Sequence, residues 1–314
     1  MNRIPVVAVI GPTASGKSDL AVEICRRFGG EVVSADSMQI YKGMDIATAK
    51  PTDEEKKNIP HHMMDFLDNT EDYSVALYQQ AAGECIADIY SRGKLPVVCG
   101  GTGLYVDTLL NNVKLSEDSY DAELRSSLLK RAELEGADKL LEEVRELDPE
   151  YAEKLHPNNV KRIVRALEVY KSTGTTMTEQ IELSKRQSPY DACFIVLDAE
   201  DRQFLYDRID RRVDIMLERG LENEARDYLS SMNGSTSAQA IGYKELQPYF
   251  DGEISLDEAV ENLKRATRRY AKRQLTWFRR NERINWLFID KYQSREDMLK
   301  DAFNTVENFL KGER

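Results

Sequence analysis

Val6-Val7-Ala8-Val9-Ile10-Gly11-Pro12-Thr13-Ala14-Ser15-Gly16-Lys17-Ser18 decides how this chain is read. Its first five residues are apolar without polar alternation, the composition of a parallel strand buried on both faces. The next eight fit G-x-x-x-x-G-K-[ST]. In that pattern the backbone N–H groups of a Gly-rich turn and of the following helix N-terminus converge on one anion. Lys17 adds a mobile positive charge, and Ser18 offers a hydroxyl ligand to Mg²⁺. A chance match is on the order of one per cent at ordinary glycine usage. The required strand-before, helix-after context is also present, so Gly11, Pro12, Thr13, Ala14, Ser15, Gly16, Lys17 and Ser18 specify a site for a phosphorylated ligand.

Working outward, residues 18–28 carry helical spacing and stop at Gly29-Gly30, a C-cap signal. Residues 31–34 read as a second strand ending at Ala35-Asp36-Ser37. Residues 73–91 form an amphipathic helix closed by Gly93, and residues 95–99 a buried strand that runs into Gly100-Gly101-Thr102-Gly103. Such alternation implies right-handed crossovers and a parallel sheet. From 115 to 187 the character changes to Glu/Lys/Leu/Arg-rich helical periodicity, with helices expected over 121–134, 137–147 and 158–172. Pro149 and Pro157 sit near boundaries that tolerate them. Residues 194–197 restore a β signal, and helical segments are expected from about 202 to the end. The fold class is α/β: a P-loop nucleoside-triphosphate-hydrolase-like parallel sheet core, residues 1–114 and 190–314, with an inserted all-helical domain at 115–189.

The 314 residues are 41% hydrophobic and 32% charged, enough to bury a core. No apolar run approaches the roughly 18 residues of a membrane span. Residues 1–10 lack a long apolar h-region and a cleavage site, so export is not expected. Cys25, Cys85, Cys99 and Cys193 are scattered without a C-x-x-C pair, which fits a reduced, cytoplasmic protein. The net charge of −11 argues against nucleic-acid binding, yet Lys264 to Arg280 holds eight Lys or Arg and no acid. The local excess decides: this stretch is aimed at a polyanion. Arg265, Arg268, Arg269 and Lys272 recur at i, i+3, i+4 and i+7, while Leu263, Tyr270 and Trp277 fall on another, core-facing side.

A phosphate site does not by itself make an ATPase. P-loop NTPases hold Mg²⁺ through an Asp ending an apolar strand, whereas residues 96–99 end in Gly100-Gly101-Thr102, and a base-reading N-K-x-D is missing. The acid that does end a strand is Asp36, and a carboxylate there faces the ligand crevice. It orients metal-bound water, accepts a proton from a nucleophile, or caps the following turn. Arg208 is either a further charge for the phosphate site or a solvated helix residue. His61-His62 has no third ligand and reads as loop or core. Tyr41 and Tyr105 either stack on a base or simply pack, and Trp277 and Phe278 read as core.

Taken together, the motifs resemble those of the tRNA dimethylallyltransferases, also called tRNA isopentenyltransferases. Besides the P-loop, the resemblance rests on 36–46 (DSMQIYKGMDI), 47–51 (ATAKP), 100–105 (GGTGLY), 156–159 (HPNN), 165–168 (RALE), 241–243 (IGY) and 272–277 (KRQLTW), in family order over nearly the whole chain. Gly103 departs from it, standing where relatives are expected to carry a bulkier residue. The resemblance implies transfer of a dimethylallyl group from dimethylallyl diphosphate to N6 of the adenosine just 3′ of a tRNA anticodon, with Mg²⁺. It implies that Thr13 to Ser18 carry the allylic diphosphate and that Asp36 is the general base, with Lys17, Thr13 and Arg208 as further catalytic groups and Ser18 as metal ligand. It implies tRNA contacts at Asp36, Ser37, Met38 and Gln39, at Thr102 and Arg125, and at Lys161, Arg162, Ile163, Val164 and Arg165. The basic stretch adds Arg268, Arg269 and Lys272 as phosphate contacts with the anticodon stem-loop. A monomer suits an enzyme that encircles a stem-loop. Two rival readings, a small-molecule P-loop kinase and an adenylate isopentenyltransferase, explain the P-loop but need neither the insertion nor the basic stretch. A third, a non-catalytic RNA-binding module, would leave Lys17, Ser18 and Asp36 without a use.

Overall fold

The computed structural model describes residues 3–111, 121–184, 188–231, 237 and 240–313. The chain divides into two compact units, Met1–Leu110 with Pro189–Arg314, and Asn111–Ser188. The boundary expected at 114/115 lies outside the described residues.

The first unit begins β1 (Ile4–Ile10), α1 (Lys17–Phe28), β2 (Gly30–Ser34), α2 (Asp53–Lys56), β3 (His61–His62), α3 (Val75–Ser91), β4 (Leu95–Gly100) and α4 (Gly103–Leu110). The second unit holds α5 (Ala122–Glu135), α6 (Ala137–Leu147), α7 (Pro149–Ala152), α8 (Val160–Thr173) and α9 (Met177–Ser184). The first then resumes with β5 (Tyr190–Asp198), α10 (Arg202–Glu218), α11 (Leu221–Ser231), α12 (Gln247–Phe250), α13 (Leu256–Phe278), β6 (Ile284–Phe288) and α14 (Arg295–Lys311). Among the described residues the strands form one sheet in the order β3-β2-β4-β1-β5-β6, with every neighbouring pair parallel. The expected α/β class with a parallel core is the one observed.

β1 lies inside this sheet, and its lack of polar alternation has a direct cause. Val6, Ala8 and Ile10 face a core shared with α3 and α4, while Val7 and Val9 face one shared with α1 and α14. Both faces are dry, so every position is apolar; each such side chain contributes roughly 1.5–3 kcal/mol. Gly29 ends α1 in a left-handed conformation (φ 67°), which lets the chain turn at once into β2.

Two strands escape a reading by pattern. Helix was expected from 202 to the end, but Ile284–Phe288 pairs in parallel with β5, Phe194 opposite Ile284 through Asp198 opposite Phe288. The β-branched and aromatic run INWLF favours the pleated edge over helix. His61 and His62 form the opposite edge against Val32 and Val33. His62 Nε2 lies 2.7 Å from Glu31 Oε2, and His61 Nδ1 lies 2.9 Å from the Ile59 carbonyl.

Glu31 is nearly inaccessible and sits among three cationic or ionisable partners. Arg92 binds it through two nitrogens at 2.6 and 2.8 Å and Lys94 at 2.7 Å, with His62 as the third. Those bonds, Arg92's first, hold its carboxyl well below the usual range against the opposing effect of burial.

A third core joins the 40–44 loop to α10, α11 and α13, with Tyr41 and Tyr243 fully enclosed. Tyr41 is thus packing, as is Tyr105, which stacks on Tyr78 at 3.9 Å. Phe278 is buried in the sheet core. Trp277 is half-buried, and its indole Nε1 donates to Asp107 at 2.6 Å. Gly103 faces that indole so closely that a Cβ there would lie 2.4 Å from its Cδ1. Glycine at 103 has a steric reason in this chain: Trp277 fills the space.

In the second unit, α5, α6 and α8 close over Leu128, Leu140, Leu141, Val144, Ile163, Val164 and Leu167. Glu168 is fully buried there, its Oε2 receiving Arg165 at 3.0 Å and Arg125 at 3.4 Å.

Candidate active site

Four strand ends deliver the site. β1 runs into the P-loop, β2 into Asp36, β4 into Gly101-Thr102, and β5 passes behind Gly11. Parallel strands place all four exits at one sheet edge, the edge where ligands bind in such folds. The exits are packed without slack. A Cβ on Gly11 would lie 2.7 Å from the Leu197 carbonyl oxygen, and one on Gly100 would lie 2.2 Å from the Ala35 oxygen. The loop turns through left-handed Ala14 (φ 63°) and Gly16 (φ 93°) to start α1.

Two cations bond to this loop, and a third stands in electrostatic reach of it. Lys17 Nζ donates to the Pro12 carbonyl at 3.3 Å. Arg208, from α10, is exposed and donates through Nε to the Ala14 carbonyl at 2.8 Å, which joins it to the P-loop. Arg212 lies one turn further along α10, near enough to Lys17 and Asp36 that the three charges influence one another. Burial first, and then the Arg212 charge, holds the Lys17 pKa below its ordinary value, with Asp36 opposing. Among the described residues none of these cations is ion-paired with a carboxylate. Ser15 Oγ is likewise buried without a partner among them. Loop donors, an orphaned hydroxyl and uncompensated charge make a preformed anion site.

Arg212 was missed by sequence reasoning. Its signal was there in Arg208-x-x-x-Arg212, four residues apart on one helix face.

Ser18, the expected metal ligand, has its hydroxyl against Cys99. Burial pushes the Cys99 thiol up to about 11, so it stays protonated at neutral pH. Among the described residues no three His, Cys, Asp or Glu side chains cluster as metal ligands. One hydroxyl beside an anion site fits Mg²⁺, which keeps several waters and is held largely by substrate phosphates.

Asp36 is half-buried, and its Oδ1 accepts the Met38 N–H at 3.0 Å. The turn-capping reading is thus realised on one oxygen, and Oδ2 has no partner among the described residues. Thr102 holds the same turn: its Oγ1 accepts the Ser37 N–H at 3.0 Å and its own N–H donates to Ala35 at 3.1 Å. Gln39 is spent internally, donating to the Thr48 and Ala49 carbonyls and accepting from Ser34. Thr13 presents its N–H to Gln274 Oε1 at 3.0 Å.

The basic stretch on α13 needs correcting at Arg268. Its Nη1 lies 2.5 and 2.6 Å from the two Asp210 oxygens, and Lys264 pairs with Asp214 at 2.7 Å. A run without acids in sequence acquires two from α10 in space. Arg269 and Lys272 remain exposed and unpaired among the described residues. In the second unit Lys161 and Arg162 are exposed, but Ile163 and Val164 are buried in the core, so their side chains face away from any RNA.

The profile of the IPP transferase family matches residues 39–281, and that of the isopentenyl transferases matches 4–69. The chain is 48% identical to a tRNA dimethylallyltransferase of Caldanaerobacter subterraneus subsp. tengcongensis, over 98% of this chain and 99% of that one. It is 44% identical to the Bacillus subtilis tRNA dimethylallyltransferase, over 98% of each. Among solved structures it resembles the tRNA isopentenylpyrophosphate transferase of Bacillus halodurans (TM-score 0.74, 41% identity, 98% and 97% covered). It also resembles a eukaryotic dimethylallyltransferase acting on tRNA (TM-score 0.86, 31% identity, 99% and 80% covered).

Proposed function

Because this chain belongs to the tRNA dimethylallyltransferase family, which transfers a dimethylallyl group to tRNA, we propose that its donor is dimethylallyl diphosphate and its acceptor is N6 of the adenosine 3′ of the anticodon, with diphosphate released. The observation that carries this reading is the pair Lys17 and Arg208, hydrogen-bonded to P-loop carbonyls without an ion pair among the described residues, with Arg212 and Asp36 in electrostatic reach of Lys17.

As the allylic C–O bond breaks, negative charge grows on the departing diphosphate. Loop N–H groups and the three cations are in place to stabilise it before reaction begins. Ser18 would hold Mg²⁺, which would supply further neutralisation of the leaving-group charge. N6 is a weak nucleophile because its lone pair is delocalised into the ring. Asp36 accepts its hydrogen, orients the lone pair and takes the proton as the C–N bond forms. The target base comes from a loop that is already partly unstacked, so its extrusion is inexpensive. Lys161, Arg162, Arg269 and Lys272 bind tRNA phosphates, and the protein works in the cytoplasm.

The test is transfer of radiolabel from dimethylallyl diphosphate to unmodified tRNA with Mg²⁺, alongside AMP and ATP controls. Label in tRNA and not in AMP is expected. Label in AMP, or ATP consumption with a small alcohol and no label transfer, would overturn the reading.

A further inference from the structure

Apart from Lys272, the 272–277 motif is left unused by the function above, and the structure gives one of its residues a distinctive place. Gln274 lies on the buried side of α13, and both ends of its carboxamide are committed. Oε1 accepts the Thr13 N–H at 3.0 Å, and Nε2 donates to the Gly101 carbonyl at 2.9 Å. One side chain thus spans two strand exits, the P-loop after β1 and the turn after β4. The contact is close enough to fix the residue type opposite it: a Cβ on Gly101 would meet Nε2 at 2.1 Å.

Beyond Gly101 the connection continues to Asp36. Thr102 takes the Ser37 N–H, returns a hydroxyl contact to Ser37 at 3.3 Å, and bonds its own N–H to Ala35. Asp36 lies between those two anchored residues. The half-buried Tyr270 hydroxyl, one turn before Gln274, meets both Thr102 and Gln274 and faces the Asp36 charge.

We propose that Gln274 is a positioning residue that sets the P-loop against the Asp36 turn, and so fixes the separation between the leaving group and the group that receives the proton. This rests on assigning the P-loop to diphosphate and Asp36 to the acceptor amine. The carboxamide touches neither substrate. It acts through Thr13 on one side and through Gly101 and Thr102 on the other. An amide suits the task because it accepts and donates at once without adding charge beside a diphosphate.

Gln274→Met keeps the length and the apolar stem and removes the bonds to Thr13 and Gly101, together with the Tyr270 contact. Each half-site persists, so KM for dimethylallyl diphosphate and for tRNA should stay within about threefold. Turnover depends on ångström-scale placement between the halves, and kcat should fall about ten- to a hundredfold. Thr102→Val should lower kcat by the same route, and the double variant should lose little beyond the worse single one, since coupled sites are not additive. Gln274→Glu, which keeps the acceptor for Thr13 and loses the donor to Gly101, repeats the test if the Met variant does not fold. An unchanged kcat would overturn the proposal. So would KM values and melting temperature deteriorating together with kcat, or multiplicative losses in the double variant. Wild-type protein that transfers no label to tRNA would sink the functional reading itself, a result distinct from any of these.

Discussion

β2 carries a carboxylate near each end, and the two are treated in opposite ways. Glu31, at its start, receives Arg92, Lys94 and His62. Asp36, just past its end, receives one backbone N–H, while Lys17, Arg208 and Arg212 stand nearby without an ion pair among the described residues. In the first cluster each lysine and arginine closes an ion pair within the chain, Arg92 on Glu31 and Asp88 and Lys94 on Glu31, and the result holds an edge of the sheet together. In the second no cation closes an ion pair among the described residues, and desolvation, with repulsion between Lys17 and Arg212, is a standing cost that an arriving anion relieves. Charge balance, more than charge density, separates a structural cluster from a binding site.

The contrast is sharpest at the two acids. Asp36→Asn keeps the turn cap and removes the proton acceptor, so kcat should fall about a thousandfold with tRNA affinity nearly intact. Unchanged turnover would take Asp36 out of the mechanism. Next comes Arg212→Met, expected to lower kcat/KM for the donor about a hundredfold with the melting temperature little changed, because the attraction of Asp36 and Glu55 for Arg212 offsets its repulsion with Lys17 and Arg208 and its desolvation. A large loss of stability would mean that the attractions dominate.

Glu31→Gln should do the reverse, leaving kcat alone and costing about 1–2 kcal/mol of stability, at the low end because Arg92 and Lys94 recover water. The sign with pH follows from the direction of the shift. The folded carboxyl titrates below the unfolded value of about 4.3, so its stabilisation is present above that pH and fades as acid protonates it. Urea melts should show a constant gap between wild type and variant from pH 7 to about 4.3 and a narrowing one from there to pH 3, with full convergence only in stronger acid. The smallest effect tests the same rule on α13. Arg269→Gln should flatten the salt dependence of tRNA binding by about one unit of log–log slope, whereas Arg268→Gln, whose charge Asp210 already matches, should leave it alone. Equal slopes would erase the distinction.

The parts legible in sequence are those fixed by neighbours in the chain. β1 shows itself because both its faces are buried, and the P-loop because its turn needs glycine at set positions. β6 does not, since a five-residue edge strand with mixed exposure is too short to separate from a helix by period. Arg268 and Arg269 are indistinguishable by spacing, and only the approach of Asp210, from a helix far away in sequence, separates them. Ile163 and Val164 share a contiguous stretch with basic neighbours, but the apolar face of an amphipathic helix, recurring every three to four residues, takes both of them inward. Gln274 could be quoted as part of a motif, yet its role needs two loops that are distant in sequence.

The contact between Gly103 and Trp277 has an evolutionary consequence. With a Cβ at 103 destined to fall 2.4 Å from the indole, neither position is free to drift alone. A side chain gained at 103 must coincide with a smaller or displaced ring at 277, and with it the loss of the indole bond to Asp107. Residues 103, 107 and 277 should therefore change as a set across descendants of this chain, and a single substitution at 103 should be recovered in selection experiments mainly with a second change at 277.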